Sequence, residues 1–251
     1  AKKVIAKFHI FALIHNTIMK NISNILLGCS LFSLSTISFA QHRTPNIILI
    51  NIDDLGWADV QYNGSTYYET PNINALHAKG LNFRYAYAGA SNSSPSRACL
   101  LSGMNTPRHG VYTVDPPDRG KPEDRKLIPC PNKSVLDLSI VTLPQALKNA
   151  GYKTCHIGKW HIGYNPLQQG MDVNIAGNHA GNPSTYFSPY HNKNLKDGPK
   201  GEYLTERLAN EACNFITENS SAPFFLNLWF YNVHTPLQAK KDKIDYFACS
   251  G

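Results

Sequence analysis

The chain has 251 residues, with 24 lysines and arginines against 17 acidic residues and a formal charge of +7. That length permits one large domain or two small ones, and a composition 42% apolar and 16% charged supports a folded core and excludes a disordered polyelectrolyte. Lys2, Lys3, Lys7 and Lys20 lie in the first forty residues, which hold no acid, so the remainder carries only +3; with no basic cluster interleaved with aromatics, nucleic acid is excluded as a partner.

Met19-Lys20, the apolar stretch Ile25 to Ile37 and the small-x-small site Ser38-Phe39-Ala40 have the layout of a signal peptide over residues 19–40. Residues 1–18 precede that methionine and are read as an upstream or leader extension. Leu26-Leu27-Gly28-Cys29 also fits a lipobox, which makes lipid anchoring at Cys29 the alternative. No other segment approaches the ~20 apolar residues that span a bilayer. The expectation is a secreted or periplasmic protein, residues 41–251, without stable membrane insertion after signal cleavage. Cys99, Cys130, Cys155, Cys213 and Cys249 follow the leader. Their odd number and the lack of a C-x-x-C pair indicate neither a disulfide framework nor a zinc site; buried free thiols are expected, with one or two bridges as the alternative.

Asn46 to Ile52 is nearly all β-branched and apolar, as in a strand buried on both faces, and it runs into Asp53-Asp54-Leu55-Gly56. Adjacent carboxylates on a tight turn repel each other, and all-oxygen ligation suits calcium or magnesium. Thr70-Pro71 opens a helix that ends near Gly80. Leu81 to Tyr87 alternates like a strand and leads to Ser93-Ser94-Pro95-Ser96-Arg97. Pro95 suits a first helical turn, and the start of a helix favours bound anions. Arg97 adds a planar fork for sulfate, phosphate or carboxylate. The stretch reads as a nucleophile held beside an oxyanion.

Thr142, Pro144 and Gly151 bracket a second helix. Tyr152 to Ile157 is a strand running into Gly158-Lys159-Trp160-His161, where Lys159 and His161 share one side of an extended chain. A longer helix, Tyr203 to Asn219, places Leu204, Leu208, Ala212, Phe215 and Ile216 on one face. The strand Phe224 to Tyr231 then runs into Val233-His234-Thr235-Pro236. Residues 113–140 and 163–200 are long loops that would wall a substrate cleft, with His109, Tyr112, Asn178 and His179 as further pocket candidates. Alternating strands and helices argue for an α/β fold with a largely parallel sheet. The polar clusters each follow a strand, so they converge on the rim where open α/β sheets bind ligands.

Ser93-x-Pro95-Ser96-Arg97 with Leu101-Ser102-Gly103, the Asp53-Asp54 pair, Gly158-Lys159-Trp160-His161 and Val233-His234-Thr235-Pro236 occur in the order of, and resemble, the motifs of type I sulfatases of the alkaline phosphatase superfamily. Ser102 stands where threonine is usual. The resemblance covers roughly residues 45–240 and implies a sulfuric ester hydrolase acting on a sulfated carbohydrate. It also implies that Ser93 is converted to formylglycine by an anaerobic-type sulfatase-maturating enzyme, and that Asp53, Asp54 and residue 93 hold one Ca2+. Arg97 and Lys159 would offset charge on the sulfuryl oxygens. His161 would assist the nucleophile, and His234 would contact sulfate and protonate the leaving oxygen.

Members of that family complete the metal site with a later Asp-Asn or Asp-His pair, and supply another lysine, beyond the position of Gly251. Residues 41–251 are therefore read as the N-terminal portion of a catalytic domain, truncated before its C-terminal part and inactive alone. The other readings are a phosphatase, phosphodiesterase or phosphonate hydrolase of the same superfamily, and a non-catalytic anion- or glycan-binding remnant.

Overall fold

Four short runs of branched and aromatic residues lie side by side in the computed structural model, all parallel: β1 (Ile47–Ile52), β2 (Lys153–Gly158), β3 (Val173–Ile175) and β4 (Phe224–Phe230), in the order β1-β4-β2-β3. The structure describes residues 44–118, 120–128 and 130–248. The expected signal peptide (19–40), residues 1–18, Cys29 and Cys249 lie outside them. From Pro45 onward the chain forms one compact unit.

Period-two alternation along β4 divides the core. Phe224, Leu226 and Leu228 face one cluster, which includes Cys155, Ile157 and the buried stripe Leu204, Leu208, Ala212 and Phe215 of the longest described helix. Phe225 and Trp229 face the other cluster, with Ala98, Leu101, Trp160 and Ile162. The sheet is thus a middle layer with helices on both sides. The described helices are α1 (Pro71–His77), α2 (Ser93–Ser102), α3 (Thr106–His109), α4 (Leu143–Asn149), α5 (Leu204–Glu218) and α6 (Lys241–Ala248). None is long and apolar enough to cross a membrane.

The expected punctuation holds at α4, where the Thr142 hydroxyl accepts from Gln145 N–H at 3.3 Å and the chain leaves the helix at Gly151. It differs at α1. The Thr70 hydroxyl accepts from Gln61 N–H at 3.0 Å instead of capping its own helix, which ends at His77.

Two strand expectations are corrected. Leu81 to Tyr87 is not a strand: it is an exposed, irregular segment, because no described strand offers it a ladder to join. β1 is not buried on both faces. It is an edge strand whose Ile48 and Ile50 are about half exposed (46% and 51%), and the doubly buried strands are β2 and β4. Loop 163–200 contains β3, three residues too short to stand out from its surroundings. The described cysteines Cys99, Cys130, Cys155 and Cys213 are free thiols, but only Cys155 is buried, which raises its pKa to about 12.

His156 and Asn227 face each other across β2 and β4. Asn227 Nδ2 donates to His156 Nδ1 at 2.9 Å, and His156 Nε2 donates to Gly158 O at 3.1 Å. Burial lowers the imidazole pKa to about 3, so one neutral tautomer satisfies both bonds. Gly158 then ends β2 with φ +101°, and a Cβ there would lie 1.9 Å from Trp229 O. Only glycine allows the close approach in which Lys159 N–H reaches Trp229 O at 2.9 Å. Gly158→Ala is expected to lower the stability of the 251-residue chain by on the order of 3 kcal/mol, from backbone overlap at a positive φ. Urea unfolding reads this directly, and an unchanged midpoint would contradict it.

Candidate active site

Asp53 is the first residue beyond β1, and only 4% of it is exposed. Its two carboxylate oxygens receive two cations: Arg97 Nη2 at 2.7 Å and Lys159 Nζ at 2.5 Å. The side chains of Arg97 and Lys159 are 3% and 0% exposed. Burial is the largest influence on both and lowers both pKa values; the Asp53 charge opposes it. The Arg97 guanidinium also lies 4.7 Å over the centre of the Trp229 ring. With its amide oxygen turned toward the guanidinium, Asn51 accepts from Arg97 Nη1 at 3.0 Å. Buried Arg97 Nε finds no acceptor among the described residues.

Helix α2 carries both Arg97 and Ser93. Asn92 precedes it in an extended conformation, and Ser93, Ser94 and Pro95 form its first turn. Residues four apart share a helix face, so the Ser93 hydroxyl lies on the side of the Arg97 guanidinium. Ser93 Oγ is 3.0 Å from His161 Nδ1. Burial, reinforced by Lys159, Arg97 and His179, lowers the His161 pKa to about 3. The imidazole is therefore neutral near pH 7, and in the tautomer protonated at Nε2 its Nδ1 accepts a hydrogen bond from the Ser93 hydroxyl. His161 itself has φ 63° and is tied by its N–H to Asn178 O at 3.0 Å. Gly181 lies against its ring: a Cβ there would come 2.7 Å from His161 Cε1.

Asp54 also adopts a left-handed conformation, with φ 59°. Non-glycine residues held there cost on the order of 1–3 kcal/mol each and cluster at functional sites; here they aim two of the expected site side chains. The Asp53 carbonyl accepts from Val233 N–H at 2.5 Å, which brings His234 to the same rim. His234 Nε2 lies 3.8 Å from Asp54 Oδ2. Asp53, Asp54 and His234 offer ligand atoms within 4.8 Å of one another, a candidate metal cluster among the described residues.

The Sulfatase family model matches residues 45–250. The chain belongs to the sulfatase family. It is 32% identical over 241 residues to mouse N-acetylgalactosamine-6-sulfatase, covering 84% of this chain and 44% of the relative. To the human N-acetylgalactosamine-6-sulfatase it is 33% identical over 228 residues, with 79% and 41% covered. The chain thus spans less than half the length of these curated relatives. Among solved structures, that of Ps i-CgsB aligns with TM-score 0.63 at 33% identity, over 82% of this chain and 49% of that one. BT4656 in complex with its substrate D-glucosamine-2-N,6-O-disulfate aligns with TM-score 0.66 at 26% identity, over 83% and 38%. These neighbours share the alkaline phosphatase/sulfatase fold expected from the sequence.

On this sulfatase scaffold, all seven residues singled out from the motifs (Asp53, Asp54, Ser93, Arg97, Lys159, His161 and His234) fall at the carboxyl ends of β1, β2 and β4 or on α2. Of the further pocket candidates, His179 lies with its ring centre 6.1 Å from that of His161, and Asn178 serves through its carbonyl. His109 does not reach the cluster: it is buried against Cys99 Sγ at 3.3 Å and Val111 N–H at 3.1 Å. Tyr112 is tied by its N–H to the Asn132 side-chain oxygen at 2.7 Å and keeps 37% of its surface exposed. Sequence reading overlooked Asn51 and Trp229. A polar residue at the end of an apolar strand was a usable signal for Asn51; Trp229 gave none, since it reads as core.

A histidine NMR titration of the 251-residue chain should find His161 neutral from pH 8 down to about 5. A titration midpoint near the ordinary 6.5 would contradict the buried geometry. The folded state then binds fewer protons than the unfolded one, so the stability held above pH 6.5 is lost as the pH falls toward about 3.

Proposed function

We propose that this chain carries the nucleophile, the base and two anion-binding cations of a sulfuric ester hydrolase acting on a sulfated carbohydrate. The observation that carries the reading is the Ser93 hydroxyl 3.0 Å from a neutral imidazole, on the helix face that carries a buried arginine. The relatives, an N-acetylgalactosamine-6-sulfatase and a protein bound to a sulfated glucosamine, support sulfate on a sugar as the substrate class. The reading also holds the protein to be exported, as the pattern at residues 19–40 implies.

His161 Nδ1 takes the proton from the nucleophilic oxygen at position 93. Arg97 and Lys159 hold the sulfuryl oxygens and offset their charge as it redistributes, from a pre-organised, largely dry setting. The unsatisfied Arg97 Nε fits such an oxygen acceptor. His234, on the same rim, donates a proton to the leaving alcohol oxygen. Formylglycine at position 93, made by an anaerobic-type maturating enzyme, would supply a geminal diol whose second hydroxyl allows sulfate release; a plain serine lacks that route. Asp53 and Asp54 are hard oxygen donors that suit calcium, and with residue 93 they would hold it and add positive charge to the site. As both Asp53 oxygens already bind cations and calcium takes six to eight oxygens, the described cluster offers only part of such a shell, which supports the view that the chain alone is inactive.

The whole protein isolated from its native host should release sulfate from N-acetylgalactosamine 6-sulfate and no phosphate from the matching phosphate ester, while the 251-residue chain alone should release neither. Peptide mass should show residue 93 lighter than serine by two hydrogens. Ser93→Ala should lower the sulfate release by at least about a thousandfold. An unmodified serine, or activity that survives Ser93→Ala, would overturn the mechanism.

A further inference from the structure

Residues 133–138 and 163–169, one stretch from each of the two long loops, enclose a cavity of about 650 Å3, within the size range of small-molecule sites. Leu136 N–H donates to Ile162 O at 2.8 Å, so the two walls are joined by backbone next to His161. Tyr164 stands on the cavity wall with 65% of its surface exposed. It is nonetheless held in place, with its ring centre 4.7 Å from that of His179. His179 is fixed in turn: its Nε2 lies 3.8 Å from an Asp115 carboxylate oxygen, and its ring centre lies 6.1 Å from that of His161. A continuous row of rings, Tyr164, His179 and His161, leads from the cavity to the Ser93 hydroxyl.

The chemistry of the cavity walls is selective. An exposed aromatic ring held from behind presents a flat apolar face with a polar tip, a surface on which the C–H face of a pyranose can rest. Gln168 adds a side-chain amide at the wall. The Asn165 side-chain oxygen accepts from Leu167 N–H at 3.0 Å, which leaves its NH2 to donate to a hydroxyl. Lys133 and Asp137 lie 3.8 Å apart, so the charges on this wall cancel. The arrangement suits a neutral sugar and offers no net charge for a second sulfate or a carboxylate.

We propose that this cavity, with Tyr164 as its platform, is a subsite for a neutral sugar unit linked to the sulfate-bearing sugar. The inference rests on the sulfated-carbohydrate reading of the neighbouring site and extends it from a monosaccharide to an oligosaccharide substrate. Calorimetric titration of the 251-residue chain with two probes tests it: N-acetylgalactosamine 6-sulfate, and the disaccharide in which that sugar is linked to galactose. The disaccharide should bind at least tenfold more tightly. Tyr164→Ala should abolish that gain without changing the monosaccharide affinity, while Tyr164→Phe and Gln168→Ala, which keep the ring, should retain part or all of it. Equal affinity for both probes in the unaltered chain, or a gain that survives Tyr164→Ala, overturns the subsite alone. Failure of the monosaccharide itself to bind overturns the sulfated-carbohydrate reading, and the subsite with it.

Discussion

A single carboxylate, Asp53, holds the candidate site together. It lies between two cations that are buried as deeply as itself, and each comes from a distant part of the chain: Arg97 from α2 and Lys159 from the end of β2. A buried ammonium or guanidinium without a partner is strongly unfavourable, and breaking such a pair costs about 3–5 kcal/mol. Three segments that no local rule brings together are thereby fixed in one place. The arrangement carries one carboxylate for two cations, and Asp54 beside it is exposed. Inside the site the two buried cations outnumber the one carboxylate buried with them. That is the condition under which a sulfuryl group would be drawn in and its charge offset.

Other features of the fold follow from delivering those side chains. Gly158 lets β2 approach Trp229 closely enough for Lys159 to turn inward, and Trp229 in turn supports the Arg97 guanidinium. His156 and Asn227 fill the same interior face, where a neutral ring accepts from the Asn227 amide and donates to Gly158 O. Left-handed backbone at Asp54 and His161 turns their side chains toward the rim, and the scaffold absorbs the strain. The outer side of β1 is different. There Ile48 and Ile50 are about half exposed, where nearly all the side chains of β2 and β4 are buried.

Much of this was legible in the sequence because it rests on local signals. Apolar runs ending in Asp53-Asp54, Gly158-Lys159 and the 233–236 turn gave the parallel strands and the rim on which their polar tails meet. The spacing of Leu204, Leu208, Ala212 and Phe215 gave the buried face of α5. What was missed depends on partners far away in sequence. Leu81 to Tyr87 alternates like a strand, but alternation does not supply a ladder. β1 is apolar enough for the centre of a sheet, yet lies at an edge of the described one. The pairing of Ser93 with His161 follows from the motif; the double grip of Arg97 and Lys159 on Asp53 does not, because no pattern records that the two cations share one carboxylate. The row from His161 through His179 to Tyr164 is equally non-local and appears only once the two long loops are folded against each other.

The claim that Asp53 organises the rim is tested most directly by a double-mutant cycle on the 251-residue chain, in which Asp53→Asn, Lys159→Met and the double variant are unfolded in urea. If the carboxylate compensates the buried ammonium, Asp53→Asn alone should cost about 3 kcal/mol or more. The double variant should then be more stable than the sum of the single effects predicts, by at least about 1 kcal/mol. Strict additivity would mean that the two side chains do not depend on each other, and would contradict the account.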